Sequence, residues 1–171
     1  MVLIRCTAKL LREIGVKPSK TSDDESDGTI LGPWHANLLH IDRRKCLLFV
    51  NDRTLFNFLI PDVPRTQIRD VGSPFRLWLS CILSEERVPA STIKRILAEA
   101  DEVRIAASSS RRVLGSANDL AFHYKSALSQ SGGVHSVRLP TIIQELNRMP
   151  MGAIGMNYSI DELRKACAVA A

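Results

Sequence analysis

The chain has 171 residues, 45% hydrophobic and 24% charged, with a formal net charge of +5. This is ordinary globular composition, long enough to bury one core, and it excludes a disordered or fibrous chain. The charge favours contact with nucleic acid or an anionic surface through its field, without specifying either.

Residues 2–6 read as a short strand. Thr7 can cap a helix over 8–14, whose Leu10, Leu11 and Ile14 share one side and which Gly15 stops. Residues 17–29 carry four acids and no large apolar residue, so a mobile acidic loop is expected there. Between Trp34 and Ile60 three apolar stretches are separated by the turn-like DRRK and NDRT, the pattern of a β-meander. With two-residue loops, Asn37 faces Val50 and Val50 faces Leu55. Trp34, Leu38, Leu47, Phe49, Phe56 and Phe58 then share one face. His35, Asn37, Leu39, Ile41, Leu48, Val50, Leu55 and Asn57 share the other. Both faces are largely apolar and need cover, from helices or from a second copy; the face of His35 and Asn37 suits a homodimer interface.

Ser73-Pro74 opens a helix that is apolar nearly all round. A second helix is expected over 89–100, a strand over 102–107 and a long helix over 111–128. The stripe of the long helix is Val113, Ala117, Leu120, Ala121, Tyr124 and Leu128. Gly132-Gly133 precedes a helix near 141–148, and Ser159 with Glu162 reads as a capping box on a terminal helix. The expected whole is a single α+β domain spanning 1–171. Its antiparallel sheet has about four or five strands, packed with about five helices.

The chemistry is less legible. Neither GxGxxG nor GxxxxGK[ST] is present, and GxSxG and HExxH are also missing. Cys6, Cys46, Cys81 and Cys167 are far apart and form no CxxC pair, so neither a metal knuckle nor a disulfide framework is expected. Residues 1–15 lack a signal peptide's apolar core, and no stretch approaches the roughly 18 apolar residues of a membrane span, which points to the cytoplasm. No cofactor and no metal is expected.

Several polar residues are placed oddly. His35 and Asn37, two apart on an aliphatic face, either line a pocket or tie down a neighbouring element; a buried amide left unpaired costs about 1–3 kcal/mol. Arg43, Arg44 and Lys45 at a hairpin tip either meet phosphates or keep the turn soluble. Arg112, Ser116, Asp119 and His123 form a polar row on the long helix, which reads as a solvated face. Arg111 and Asn118 flank Gly115, whose missing side chain would let another backbone approach.

The opening LIRCTAKLL, the WHANLLHIDRRKCLLFVNDRT meander and the later RRVLGSANDLA together resemble a family of small bacterial proteins known only as a domain of unknown function. Relatives usually carry Asn-Arg-Ser where this chain has Ser110-Arg111-Arg112. The resemblance implies a bacterial cytoplasmic protein and brings no activity, substrate or catalytic residue.

Two functions follow from the residues. The first is a non-catalytic binding protein for nucleic acid or a protein partner, drawn from the basic charge, the hairpin tip and the lack of an assembled catalytic set. The second is a small enzyme with a pocket built from His35, Asn37, Arg111 and Asn118.

Overall fold

The computed structural model describes residues 1–19, 28–108 and 110–169. All five residues of β1 (Val2–Cys6) are buried, as in a strand covered on both faces. Thr7 accepts a hydrogen bond from the Leu10 amide at 3.4 Å and starts α1 (Ala8–Ile14), and Gly15 ends it in a left-handed conformation. The chain then forms β2 (Trp34–Ile41), β3 (Arg44–Asn51) and β4 (Asn57–Ile60). Next come α2 (Arg65–Arg69), α3 (Gly72–Glu85) and α4 (Ala90–Glu99), then β5 (Val103–Ala107) and α5 (Arg111–Gln130). Finally α6 (Leu139–Leu146), a small hairpin of β6 (Pro150–Met151) and β7 (Asn157–Tyr158), and α7 (Ser159–Val169) complete it.

The five-stranded sheet has the order β4-β3-β2-β1-β5. It is mixed, which corrects the expected antiparallel sheet. The meander β2-β3-β4 is antiparallel, but β1 pairs in parallel with both β2 and β5. Parallel neighbours need long connections through helices, so no turn between them marks the pairing in the sequence.

Within the meander the register also differs from the expected one. Asn37 faces Leu48, not Val50, and Val50 faces Asn57, not Leu55. The first turn is Asp42-Arg43, both with positive φ (51° and 63°). Asp42 is pinned there, because its carboxylate accepts the Val134 amide at 2.7 Å. A Cβ on Gly133, whose φ is +97°, would stand 2.5 Å from the same carboxylate oxygen. The second loop is lengthened by Asn51, whose side-chain oxygen accepts from the amides of Arg53 and Thr54 at 3.2 and 3.0 Å. Both ladders move by two residues, an even shift, so side chains keep their faces.

On one face Phe75 of α3 packs against Trp34 and Phe49, with ring centroids 5.2 and 5.0 Å apart. Lys9 and Glu13 of α1 reach His40 and Lys45 on the same face. The opposite face, which carries His35, is covered by α5 and α6. There the Tyr124 hydroxyl donates to Asn57 Oδ1 at 2.8 Å. The Asn147 side chain donates to the Asn57 carbonyl at 2.7 Å and accepts its amide at 2.9 Å. Asn147 thereby closes the outer edge of β4 as a neighbouring strand would. Because both faces are covered within one chain, the uncovered apolar face expected to drive a homodimer is not present among the described residues.

Other local expectations also shift. The capping box does not form: Ser159 is the first residue of α7, its buried hydroxyl has no partner among the described residues, and Glu162 pairs with Lys165 at 2.7 Å. Gly115 faces open space, with nothing within 4 Å of an added Cβ, so no neighbouring backbone approaches it there. The expected acidic loop falls largely on residues 20–27, outside the described residues. Just before it, Ser19 donates to the Ile105 carbonyl at 2.8 Å, against the outer edge of β5. Among the described residues no helix is long and apolar enough to cross a membrane.

Candidate functional site: a basic edge and a buried polar knot

Two polar regions stand apart from the core. The first is buried where β1 and β5 end and α5 begins. Arg5 of β1, only 3% exposed, pairs with the Asp52 carboxylate of the β3–β4 loop. Arg112, in the first turn of α5, donates to the Asp52 carbonyl. His35, the neighbour of Arg5 across the β1–β2 ladder, is 1% exposed, and its Nδ1 lies 2.7 Å from Ser108 Oγ.

Burial, with the Arg5 charge added, pushes the His35 imidazole down to about 4. The ring is therefore neutral at physiological pH, and the same two causes oppose the imidazolium that a general base must become. His35 Nε2 is buried with no hydrogen-bond partner among the described residues.

The second region is the edge bearing the β2–β3 turn. Arg43 is exposed there, while Arg44 lies 3.8 Å from Asp62 and Lys45 is 2.8 Å from Glu13. Partial desolvation, then the cations of Lys9, Lys45 and Lys125, lower the pKa of His40. The Lys9 ammonium donates to His40 Nδ1 at 3.0 Å. Beside this, Arg12 of α1 and Arg65 and Arg69 of α2 line a groove of about 470 Å³ with Glu13, Ile14 and Gly15. No carboxylate among the described residues forms an ion pair with any of these three arginines. The acid in the groove, Glu13, is lowered in pKa first by its hydrogen bond from Lys45, with Arg65 adding a weaker pull.

His35, Asn37, Arg111 and Asn118 do not converge on one another. His35 is tied to Ser108, and Asn37 accepts from the Thr7 hydroxyl at 3.2 Å. Arg111 and Asn118 are exposed on α5. Asp119 and His123 also face solvent. Sequence reasoning missed Arg5, although a lone arginine inside an otherwise apolar strand was a signal for a buried ion pair. It missed Arg65 and Arg69 because α2 is a five-residue helix in a polar, proline-bounded stretch. Their i,i+4 spacing was the available clue.

Residues 3–162 match a family described as Domain of unknown function (DUF6933). The chain belongs to that family. No curated protein and no solved structure matches it. Membership assigns no activity.

Proposed function

We propose that this DUF6933 protein is a non-catalytic binding protein for nucleic acid, contacting the phosphate backbone through the basic edge of α1, α2 and the β2–β3 turn. The observation that carries the reading is the groove of Arg12, Arg65 and Arg69, three guanidinium groups without a carboxylate partner among the described residues, beside a turn that exposes Arg43. Guanidinium groups not already committed to acids are suited to bidentate hydrogen bonding with phosphate oxygens. Clustered cations of this kind supply sequence-independent affinity by releasing counterions.

The enzymatic alternative draws less support, because its four residues do not converge and His35 is a poor base. The test is the salt dependence of single-stranded oligonucleotide binding. Engagement of Arg12, Arg43, Arg65 and Arg69 predicts a log–log slope of about −3. Replacing Arg43, Arg65 and Arg69 with alanine should flatten it by about 2. Absence of binding to both DNA and RNA at low salt overturns the proposal, as does a slope unchanged by the triple substitution.

A further inference from the structure

The basic groove continues into a second one. Ile14 and Arg69 line both the arginine groove and an adjoining groove of about 390 Å³ between α1, the start of α3 and the outer strand β5. The floor of this second groove is aliphatic, with Val16, Val71, Val103 and Ile105. Its rim carries Asp70, Asp101 and Arg76. The Arg76 guanidinium is held in place by Asp101 at 2.8 Å and by the Leu97 carbonyl at 3.2 Å. Because Ile14 and Arg69 line both, the two grooves adjoin and together offer a cationic part and an apolar part with an acidic rim. Each half falls within the range of roughly 300–1,000 Å³ of small-molecule sites.

We propose that this depression binds a nucleoside phosphate monoester, with the phosphate among Arg12, Arg65 and Arg69 and the base over the aliphatic floor. The inference deepens the nucleic-acid reading and rests on it for the source of the ligand, a phosphorylated strand end. Three guanidinium groups match the charge of a monoester, about −1.5 to −2 at neutral pH, better than the single charge of a backbone diester. Arg65 and Arg69, one helical turn apart, reach the same phosphate from one side while Arg12 reaches it from α1.

Orientation follows from the asymmetry of charge. Asp70 and Asp101, the latter paired with Arg76, disfavour a phosphate in the second groove, and they can accept hydrogen bonds from the exocyclic amine of adenine or cytosine. The immobilised plane of Arg76 offers a surface on which a base stacks without a further loss of side-chain entropy. Arg69, common to both halves, spans the junction where the sugar lies.

The experiment titrates the full chain with AMP, adenosine and inorganic phosphate, followed by amide chemical shifts, for the wild type and for Arg65→Ala/Arg69→Ala. Both residues are exposed and form no ion pair among the described residues, so the variant keeps the fold. AMP should bind at least tenfold more tightly than adenosine or phosphate, and the double variant should lose at least tenfold for AMP alone. AMP binding no tighter than inorganic phosphate overturns the inference, as does AMP affinity that survives the double substitution.

A second arm compares 5′-phosphorylated and 5′-hydroxyl oligonucleotides of one sequence. Preference for the phosphorylated strand, lost in the double variant, supports a strand end as the occupant. AMP binding without that preference supports the same site filled by a free nucleotide. If AMP binds and neither oligonucleotide does, the nucleic-acid reading fails and the site stands. If both oligonucleotides bind equally and AMP binds no better than phosphate, the site fails and the reading stands.

Discussion

Asn147→Leu removes the amide that closes the edge of β4 while keeping the branched shape of the side chain. In the native protein Asn147 Oδ1 accepts the Asn57 amide at 2.9 Å, and Nδ2 donates to the Asn57 carbonyl at 2.7 Å. Both residues are fully buried. Leucine leaves that amide and carbonyl without partners and without access to water. Each such group costs about 1–3 kcal/mol, so the expected loss is about 4 kcal/mol. Such a loss takes a large share of a typical stability of about 5–15 kcal/mol. No cavity is left, since leucine keeps the branching and heavy-atom count of asparagine, but its bulkier methyl groups add some overpacking to the polar loss. In urea the midpoint should fall by about 2 M at unchanged slope, for a slope near 2 kcal/mol/M. Tyr124→Phe, which removes the donor to Asn57 Oδ1, should cost about 1 kcal/mol. Combined with Asn147→Leu it should depart from additivity, since both act on Asn57. A loss below about 1 kcal/mol for Asn147→Leu would refute the reasoning, because water would then be replacing the amide.

Two further outcomes follow from single residues. Gly115→Ala adds a methyl group into open space within α5 and should stabilise the protein by about 1 kcal/mol, raising Tm by roughly 2–4 °C; calorimetry that finds an unchanged or lower Tm would contradict the placement. His35, normally near 6.5, is held at about 4 in the folded protein. Its contribution is therefore complete above pH 6.5 and is lost as pH falls towards 4, by about 3 kcal/mol in total. Unfolding measured at about pH 7 and about pH 4.5 should show a smaller pH-dependent loss in His35→Gln than in the wild type, and equal losses would remove His35 as the cause.

The meander, the α5 stripe and the caps of α1 were legible because each is set by local pattern: alternation, helical spacing, or a residue suited to one end. Even the wrong register preserved the faces, since turn chemistry at Asp42 and Asn51 moved both ladders by an even number. The parallel placement of β1 was not legible. Nothing local in Val2–Cys6 distinguishes a parallel from an antiparallel neighbour, and its β5 partner, Val103–Ala107, is remote in the chain. The polar residues divided in the same way. His35 and Asn37 were visible as anomalies on an apolar strand, but their partners, Ser108 and Thr7, come from other parts of the fold. The arginine groove depends on α1 and α2 lying side by side, which no spacing within either helix reveals.

The same placement decides which cations can test the nucleic-acid reading. Arg44 and Lys45 stood out in the sequence, yet each lies beside a carboxylate, Asp62 at 3.8 Å and Glu13 at 2.8 Å. Exposed pairs of this kind contribute about 0–1 kcal/mol, so an incoming phosphate can displace Asp62 from Arg44 at little cost. Replacing Arg44 or Lys45 would therefore remove a phosphate ligand and release an acid together, and the freed negative charge would weaken polyanion binding by itself. Arg43, Arg65 and Arg69 form no ion pair among the described residues, and Arg65 pulls only weakly on Glu13, so their removal chiefly changes the attraction. If they carry the binding, the salt slope flattens in proportion to the arginines replaced. If instead the Arg44 and Lys45 pairs open to carry it, the slope of the Arg43, Arg65 and Arg69 variant stays at its wild-type value. Reversing the charge of Glu13 or Asp62 would then strengthen binding more than any of the three alanine substitutions weakens it.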